Sequence, residues 1–263
     1  MIKRKLIFVL SKFFEIFKHT DFNFKILMFH DIDQNNFNYL EETLSNLKNN
    51  YNFVDPKNLA KVSGKNNILL TFDDGFESNY LFAKNVLEKL KIKAIFFIVS
   101  DLVDQKNVQD IVNRIDENIN LENCKLMSES QIRELLSLGH EIGAHGKTHQ
   151  KLSDIKDYKI LNDEIAKPKK YFNEKFNIKI DYFAYPYGDL GSINENSLQL
   201  IRSCYNHIFT GIRGDNNAIN LKKKIYFRDN IICSYPRSVF NLFLKGFIDK
   251  YYYFKQKKIL KIS

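Results

Sequence analysis

From Lys25 the chain reads KILMFHDI, an apolar run that closes on a histidine and an acid. FNYLEETLSNLKNNYNFV follows, where Tyr39, Leu40, Leu44 and Leu47 fall at helical spacing. NNILLTF is short and apolar at nearly every position, the pattern of a strand buried on both faces of a parallel sheet. A helix over NYLFAKNVLEKLKI and a second buried strand over KAIFFIVS continue the alternation. Residues 101–126 interrupt it with a polar stretch rich in Asp and Asn, which reads as an insertion loop carrying a short helix. The rhythm resumes at SESQIRELLSLG, where Ser128 and Gln131 form a capping-box pair and Gly139 closes the helix. HEIGAHG, DYFAYPYG and NHIFTGI then read as strands separated by helices over YKILNDEIAKPKKYFNEKF and NENSLQLIRSC, and IYFRDNI as a last strand. Six or seven strands alternating with helices in one continuous unit predict an α/β fold. The expectation is a single-domain (β/α) barrel, complete or incomplete, over about residues 25–232.

Composition narrows the picture little. Apolar residues make up 44% of the 263, with 23 Phe and 14 Tyr, which fits a folded globular chain rather than a disordered one. Cys124, Cys204 and Cys233 are odd in number and widely spaced, so neither a disulfide framework nor a zinc ribbon is expected. They read as reduced thiols. The net charge of +9 is spread as lysines among Asn and Asp, and no nucleic-acid module accompanies it.

The charge concentrates at the two ends. In MIKRKLIFVLSKFFEIFKHT, the apolar run Leu6 to Leu10 is shorter than a signal core and far shorter than a membrane span. At helical period Leu6, Val9, Leu10, Phe13, Phe14 and Phe17 share one face, so residues 1–24 read as a basic amphipathic helix. Residues 233–263 repeat the style, with Phe240, Phe243, Leu244, Phe247 and Tyr251 set against Lys245, Lys250, Lys255, Lys257 and Lys258. Such ends either lie in the plane of an anionic membrane surface or pack on the core.

In a (β/α) barrel the reacting groups sit where strands end and loops begin. That filter leaves His30, Asp73, Asp74, His145, His149, Pro186 with Tyr187, and the tail of IYFRDNI. Asp73 and Asp74 are adjacent carboxylates, each opposing ionisation of the other unless a cation lies between them. HGKTH spaces His145 and His149 four apart, close enough for two imidazoles to converge on one ion. One aspartate and two histidines make a facial set with open positions, leaving the other aspartate as a general base. His140 and His207 begin strands, at the wrong end for chemistry, and His19 receives no role.

TFDDG, HEIGAHGKTH and YFAYPYG, in that order, resemble the polysaccharide deacetylase family, also called the chitooligosaccharide deacetylase homology domain. The resemblance implies a distorted (β/α)7-type barrel and one divalent metal, Zn2+. It implies Asp73 as general base, Asp74, His145 and His149 as metal ligands, and the Tyr187 backbone N–H as oxyanion donor. Pro186, Tyr187 and Gly188 would line the substrate groove. Two departures stand out. The family's third motif carries an Arg where this chain has Ala184, and Arg228 is the candidate to orient Asp73 in its place. No general-acid histidine motif follows the third motif, so His30 takes that role, as in a permuted branch of the family.

The expected activity is metal-dependent hydrolysis of an N-acetyl group, with an O-acetyl or formyl group as the lesser alternatives, on a cell-envelope saccharide or its lipid-linked precursor. The work would be done in the cytoplasm, peripherally on the inner face of the membrane. A sugar-binding or assembly subunit that lost catalysis is the alternative, and a metal nuclease or phosphatase would need more carboxylates and a phosphate-binding Arg or Gly-rich loop, neither of which is present in the pattern.

Overall fold

The computed structural model describes residues 21–105 and 125–262. The helix expected at the N-terminus, with His19, and most of the 101–126 insertion, with Cys124, lie outside the described residues.

Among the described residues, nine strands, all paired in parallel, form one sheet. They are β1 (Phe24–Phe29), β2 (Asn52–Phe53), β3 (Asn67–Phe72), β4 (Ala94–Ile98), β5 (Glu141–Ala144), β6 (Tyr182–Ala184), β7 (His207–Phe209), β8 (Ile225–Tyr226) and β9 (Asp229–Asn230). Every residue of β1, β3 and β4 is buried, as runs apolar on both faces require. The spatial order β8-β7-β6-β5-β4-β3-β1-β9 has a simple reading. β8 and β9 are two halves of one bent segment, the first paired to β7 and the second to β1, so residues 225–230 seam the ends of the sheet together. Buried Asn216 holds that seam. Its Oδ1 accepts from the Phe227 N–H at 2.7 Å, and its Nδ2 donates to the carbonyls of Phe24 at 3.1 Å and Phe227 at 3.0 Å. IYFRDNI is therefore not one straight strand, and the bend falls at Phe227 and Arg228.

Side chains alternate across a strand, and here the alternation sorts the core. Phe24, Ile26, Leu69, Ile95, Phe97, Ala184, Phe209 and Tyr226 pack together inside the barrel. Leu27, Phe29, Leu70, Phe72, Phe96 and Ile98 point the other way, against the helices. The helical layer comprises α1 (Phe37–Lys48), α2 (Glu77–Phe82) continued by a π-helical turn Ala83–Leu87 and α3 (Glu88–Leu90), α4 (Glu129–Ser137), α5 (Tyr158–Phe176) and α6 (Glu195–Cys204). The capping box at Ser128 and Gln131 is formed, and Gly139 beyond α4 has φ +86°.

Several elements differ from the sequence pattern. The helical run after Phe37 stops at Lys48, and Asn52–Phe53 adds a short strand beside β3. Helix α7 (Ala218–Lys223) and the 3-10 turn Pro56–Lys61 were not anticipated. The C-terminal stripe is not one helix. α8 (Arg237–Leu244) ends at Gly246, φ +67°, and a 3-10 turn, Asp249–Tyr252, leads into α9 (Tyr253–Ile262). α8 buries Val239, Phe240, Leu242, Phe243 and Leu244 in the core, at ~1.5–3 kcal/mol per side chain before chain entropy is set against it. Tyr251, Tyr253 and Phe254 stay exposed. No helix among the described residues is long and apolar enough to cross a membrane.

Candidate metal centre and catalytic groove

The two-residue period that fills the barrel also carries polar side chains to its rim. Phe24, Ile26 and Met28 lead to His30, Leu69 and Thr71 lead to Asp73, Gly143 leads to His145, and Tyr226 leads to Arg228. Asp73 still follows the β3 ladder, its N–H donating to Phe29 O at 2.9 Å. The chain then turns sharply, with Asp74 at φ +74° and Gly75 at φ +87°. A side chain at Gly75 would meet Ile98 Cγ2 at 2.9 Å, so both the conformation and the space call for glycine.

Asp73 and Asp74 are both buried, and their surroundings divide them. Arg228 donates from Nη1 to Asp73 Oδ1 at 2.6 Å and from Nη2 to Oδ2 at 2.8 Å, a two-pronged bond. The guanidinium is itself fixed. Its Nε donates to Thr210 O at 2.8 Å, its Nη1 reaches Thr71 Oγ1 at 3.3 Å, and its carbon lies 5.2 Å from the centre of the Phe97 ring. Arg228 is 1% exposed, so a surface pairing with Asp229 is excluded, and Asp229 instead meets Lys25 and Arg213. The guanidinium absent at Ala184 reaches Asp73 from the closing strand.

Asp74 has the opposite environment. Neither carboxylate oxygen has a hydrogen-bond partner among the described residues, although both are buried. Its Oδ1 lies 3.4 Å from Nε2 of His145 and 3.4 Å from Nε2 of His149. Burial pushes this carboxyl up, but the facing rings of His145 and His149 and the more distant His30 outweigh it and hold it at about 2. On His145 burial acts downward and is overcome by Asp73 and Asp74, so its pKa is raised. The other His145 nitrogen, Nδ1, meets Ala184 O at 2.7 Å and donates to it, which leaves Nε2 as the electron pair facing Asp74. One donor atom from each of Asp74, His145 and His149 lies within 4.8 Å of the others. A buried carboxylate without hydrogen bonds, converging with two imidazoles, fits a divalent cation.

Glu164, on the buried face of α5, holds the histidine loop and was not singled out from the sequence. Its Oε2 accepts the N–H groups of Lys147 and Thr148 at 3.0 Å each, and its Oε1 accepts from the Thr148 hydroxyl. Gly146 sits against it at φ +79° and His149 at φ +63°. The sequence signal for Glu164 is an acid on a core stripe, between Leu161 and Pro168, where a lysine-rich helix shows apolar residues.

A cavity of about 830 Å³ opens above this cluster. His30, Asp73, Asp74, His145, His149, Tyr187, Gly188 and Arg228 line it. Tyr187, at φ +64°, lays its ring 5.0 Å from that of His149, and Gly188 packs directly on the Gly211 backbone. Pro186 is the exception among the expected groove residues: it is buried behind the wall, beside Gly146, and does not line the cavity. Tyr185, Arg213, Tyr251, Tyr252 and Lys255 line it without having been expected to. His140 and His207 stand apart, each buried and with a pKa lowered to about 4 chiefly by desolvation. Cys204 and Cys233 are free thiols, and burial pushes Cys233 up to about 12.

Residues 60–207, more than half of the chain, match the family described as polysaccharide deacetylase, and the chain belongs to that family. The matched span contains Asp73, Asp74, His145 and His149 and excludes His30 and Arg228. Among curated relatives, YxkH of Bacillus subtilis (strain 168), a protein assigned to the polysaccharide deacetylases, is 26% identical over 66% of this chain and 59% of its own length. The poly-beta-1,6-N-acetyl-D-glucosamine N-deacetylase of Staphylococcus aureus (strain MSSA476) is 25% identical over 65% of this chain and 55% of its own. The chain thus spans little more than half the length of these relatives. The fold is shared with the Streptococcus pyogenes deacetylase PplD, at a TM-score of 0.67 and 19% identity over 86% of this chain and 99% of that one. It is shared equally with IcaB from Ammonifex degensii, at 0.65 and 20% over 86% and 97%.

Proposed function

We propose that this protein is a metal-dependent deacetylase that hydrolyses the N-acetyl group of an aminosugar in a cell-envelope glycan or its lipid-linked precursor. The observation that carries the reading is the divided aspartate pair. Asp73 is held by Arg228 through both oxygens, and Asp74 offers two unbonded oxygens to the gap shared with His145 and His149. Membership of the family and the printed activity of the staphylococcal relative support the substrate class.

Asp74, His145 and His149 would hold the ion, with zinc as the metal. Once bound, it supplies Lewis-acid chemistry, acidifying water and polarising the acyl carbonyl. The chain's own residues do the rest. Asp73 takes the proton of the attacking water while Arg228 keeps its carboxylate fixed in position. A carbon–oxygen bond forms, the carbon–nitrogen bond breaks, and His30, on the same cavity, returns a proton to the leaving amine. The Tyr187 N–H is the donor for the developing oxyanion. Acetate and a free amine are the products.

The test is mass spectrometry of an N-acetylglucosamine polymer after incubation with the zinc-loaded protein. Loss of one acetyl unit per sugar is expected. Polymer recovered unchanged contradicts the reading, and release from an O-acetyl or N-formyl substrate instead would reassign the acyl group. The same proposal places the protein in the cytoplasm, peripherally against the anionic inner leaflet. Exposed Tyr253 and Phe254 beside the exposed Lys257, Lys258 and Lys261 support that contact.

A further inference from the structure

Beyond the seam strand, the chain turns back to the mouth of the catalytic cavity. The 3-10 turn Asp249–Tyr252 and the first turn of α9 bring Tyr251, Tyr252 and Lys255 to the same cavity that Asp73 and His30 line. This wall lies outside residues 60–207, so nothing in the matched family span specifies it.

The wall is anchored by a buried ionic network. Lys25, fully buried on β1, places its Nζ 2.7 Å from Asp249 Oδ2 and 3.2 Å from Asp229 Oδ2. Asp229 also pairs with Arg213 at 3.3 Å, and Arg213 Nη2 donates to Asn230 O at 2.6 Å. Gln256 Nε2 donates to Arg213 O at 2.6 Å, and Gly214 leaves room for it, since a side chain there would meet Gln256 Nε2 at 2.7 Å. Lys255 spans to Asp189 at 2.7 Å, tying the wall to the loop that follows Gly188. A lysine buried on a strand and committed to two carboxylates is a costly way to hold a surface turn. The cost makes sense if the position of that turn matters.

What the turn presents is aromatic. Tyr251 is 69% exposed and Tyr252 is half-buried, both on the rim of a cavity of about 830 Å³. That volume lies in the upper part of the roughly 300–1,000 Å³ range of pockets that bury drug-sized ligands. A pyranose has an apolar face of C–H groups and a polar edge of hydroxyls. Tyrosine rings offer the matching flat surface, and the Lys255–Asp189 pair offers a donor and an acceptor beside it.

We propose that Tyr251, Tyr252 and Lys255 form a second sugar subsite, which holds a neighbouring residue of the glycan while the acetamido group of another sits at the Asp73–His145 centre. The subsite rests on the deacetylase reading and adds to it which residues, outside the matched family span, hold the neighbouring sugar. It makes the C-terminal segment a specificity determinant rather than a simple cover for the core.

The experiment compares kcat/KM for acetate release from a β-1,6-linked N-acetylglucosamine pentamer with that for 4-nitrophenyl acetate, an ester too short to reach the wall. Tyr251→Ala and Tyr252→Ala should each lower the pentamer-to-ester ratio about tenfold, equivalent to ~1.4 kcal/mol, mainly through KM. Tyr251→Phe and Tyr252→Phe should restore it, because the ring face carries the contact. An unchanged ratio in both alanine variants overturns the subsite and leaves the deacetylase reading intact. If the wild type cleaves the ester and not the pentamer, the glycan reading falls. Calorimetric titration with the pentamer then judges the subsite alone: weaker binding by the alanine variants supports it, and equal binding overturns it.

Discussion

Among single residues, the proposed chemistry depends most on how Asp73 is held. Two hydrogen bonds from a planar guanidinium fix both its position and its rotation, and a lysine ammonium at the same place can supply only a point charge. Arg228→Lys is therefore expected to keep the fold and lower kcat by about a hundredfold, the order of loss that follows a small misplacement of a reacting group. Steady-state acetate release together with a thermal melt checks this, and a variant with wild-type kcat would remove Arg228 from the site. The strand-end residues Asp73, Asp74, His145, His149 and His30 were legible in the sequence because polar side chains stood where apolar runs ended. Arg228 was legible by the same rule. What the sequence could not show is that the seam bends at Arg228 and turns it onto Asp73, since that depends on β8 and β9 pairing with opposite ends of the sheet. The places of Glu164, Tyr251 and Tyr252 at the site are not legible for another reason: an acid in a lysine-rich helix and aromatics in an amphipathic stripe have ordinary explanations.

Among the elements, β5 and the loop after it are set by two buried polar side chains. His140 enters β5 with Nδ1 accepting the Ala94 N–H at 3.2 Å, so the ring must stay neutral to keep that bond. Desolvation, followed by the charge of Lys93, lowers its pKa to about 4, below the ~6.5 of an unfolded histidine. The unfolded chain then binds the proton first as pH falls. Stability is complete above about 6.5 and is lost towards 4, by up to ~3 kcal/mol. Urea unfolding at pH 7.5 and 4.5 should show this loss, and His140→Asn, whose amide oxygen can accept the same bond, should reduce it. A difference between the two pH values as large in the variant as in the wild type would contradict the assignment. Glu164→Ala strips the Lys147 and Thr148 N–H groups of their acceptor and loosens the loop between the two histidines. Zinc affinity should fall about 10–100-fold, measured by competition with a chelator, and unaltered affinity would show that the loop holds itself.

The strands β3 and β4 could be read directly because runs such as NNILLTF and KAIFFIVS are apolar on both faces, which few other elements are. The apolar spacing of the C-terminal segment continues through Gly246, and spacing does not register the break that a residue at φ +67° makes there.

For the molecule as a whole, the barrel gathers groups from strands distant in sequence onto one rim, and the C-terminal segment encloses that rim from a side outside the family match. The stripe on α8 faces the core, so any membrane contact falls to the exposed Tyr253 and Phe254 and the lysines after them. Sedimentation with vesicles containing anionic lipid should carry the wild type down and leave Phe254→Glu largely in solution, and equal sedimentation of the two would count against that surface. Ala184 carries no guanidinium, and Arg228 brings one to Asp73 from the seam, so that position lends no support to a non-catalytic barrel.

The central claim is the division of labour between two adjacent carboxylates, Asp74 for the metal and Asp73 for the proton. Metal content and acetate release measured together on purified Asp73→Asn and Asp74→Ala test it most directly. Asp73→Asn is expected to retain one zinc per chain but lose turnover, while Asp74→Ala loses both. Full turnover by Asp73→Asn, or zinc retained at wild-type affinity by Asp74→Ala, would contradict it.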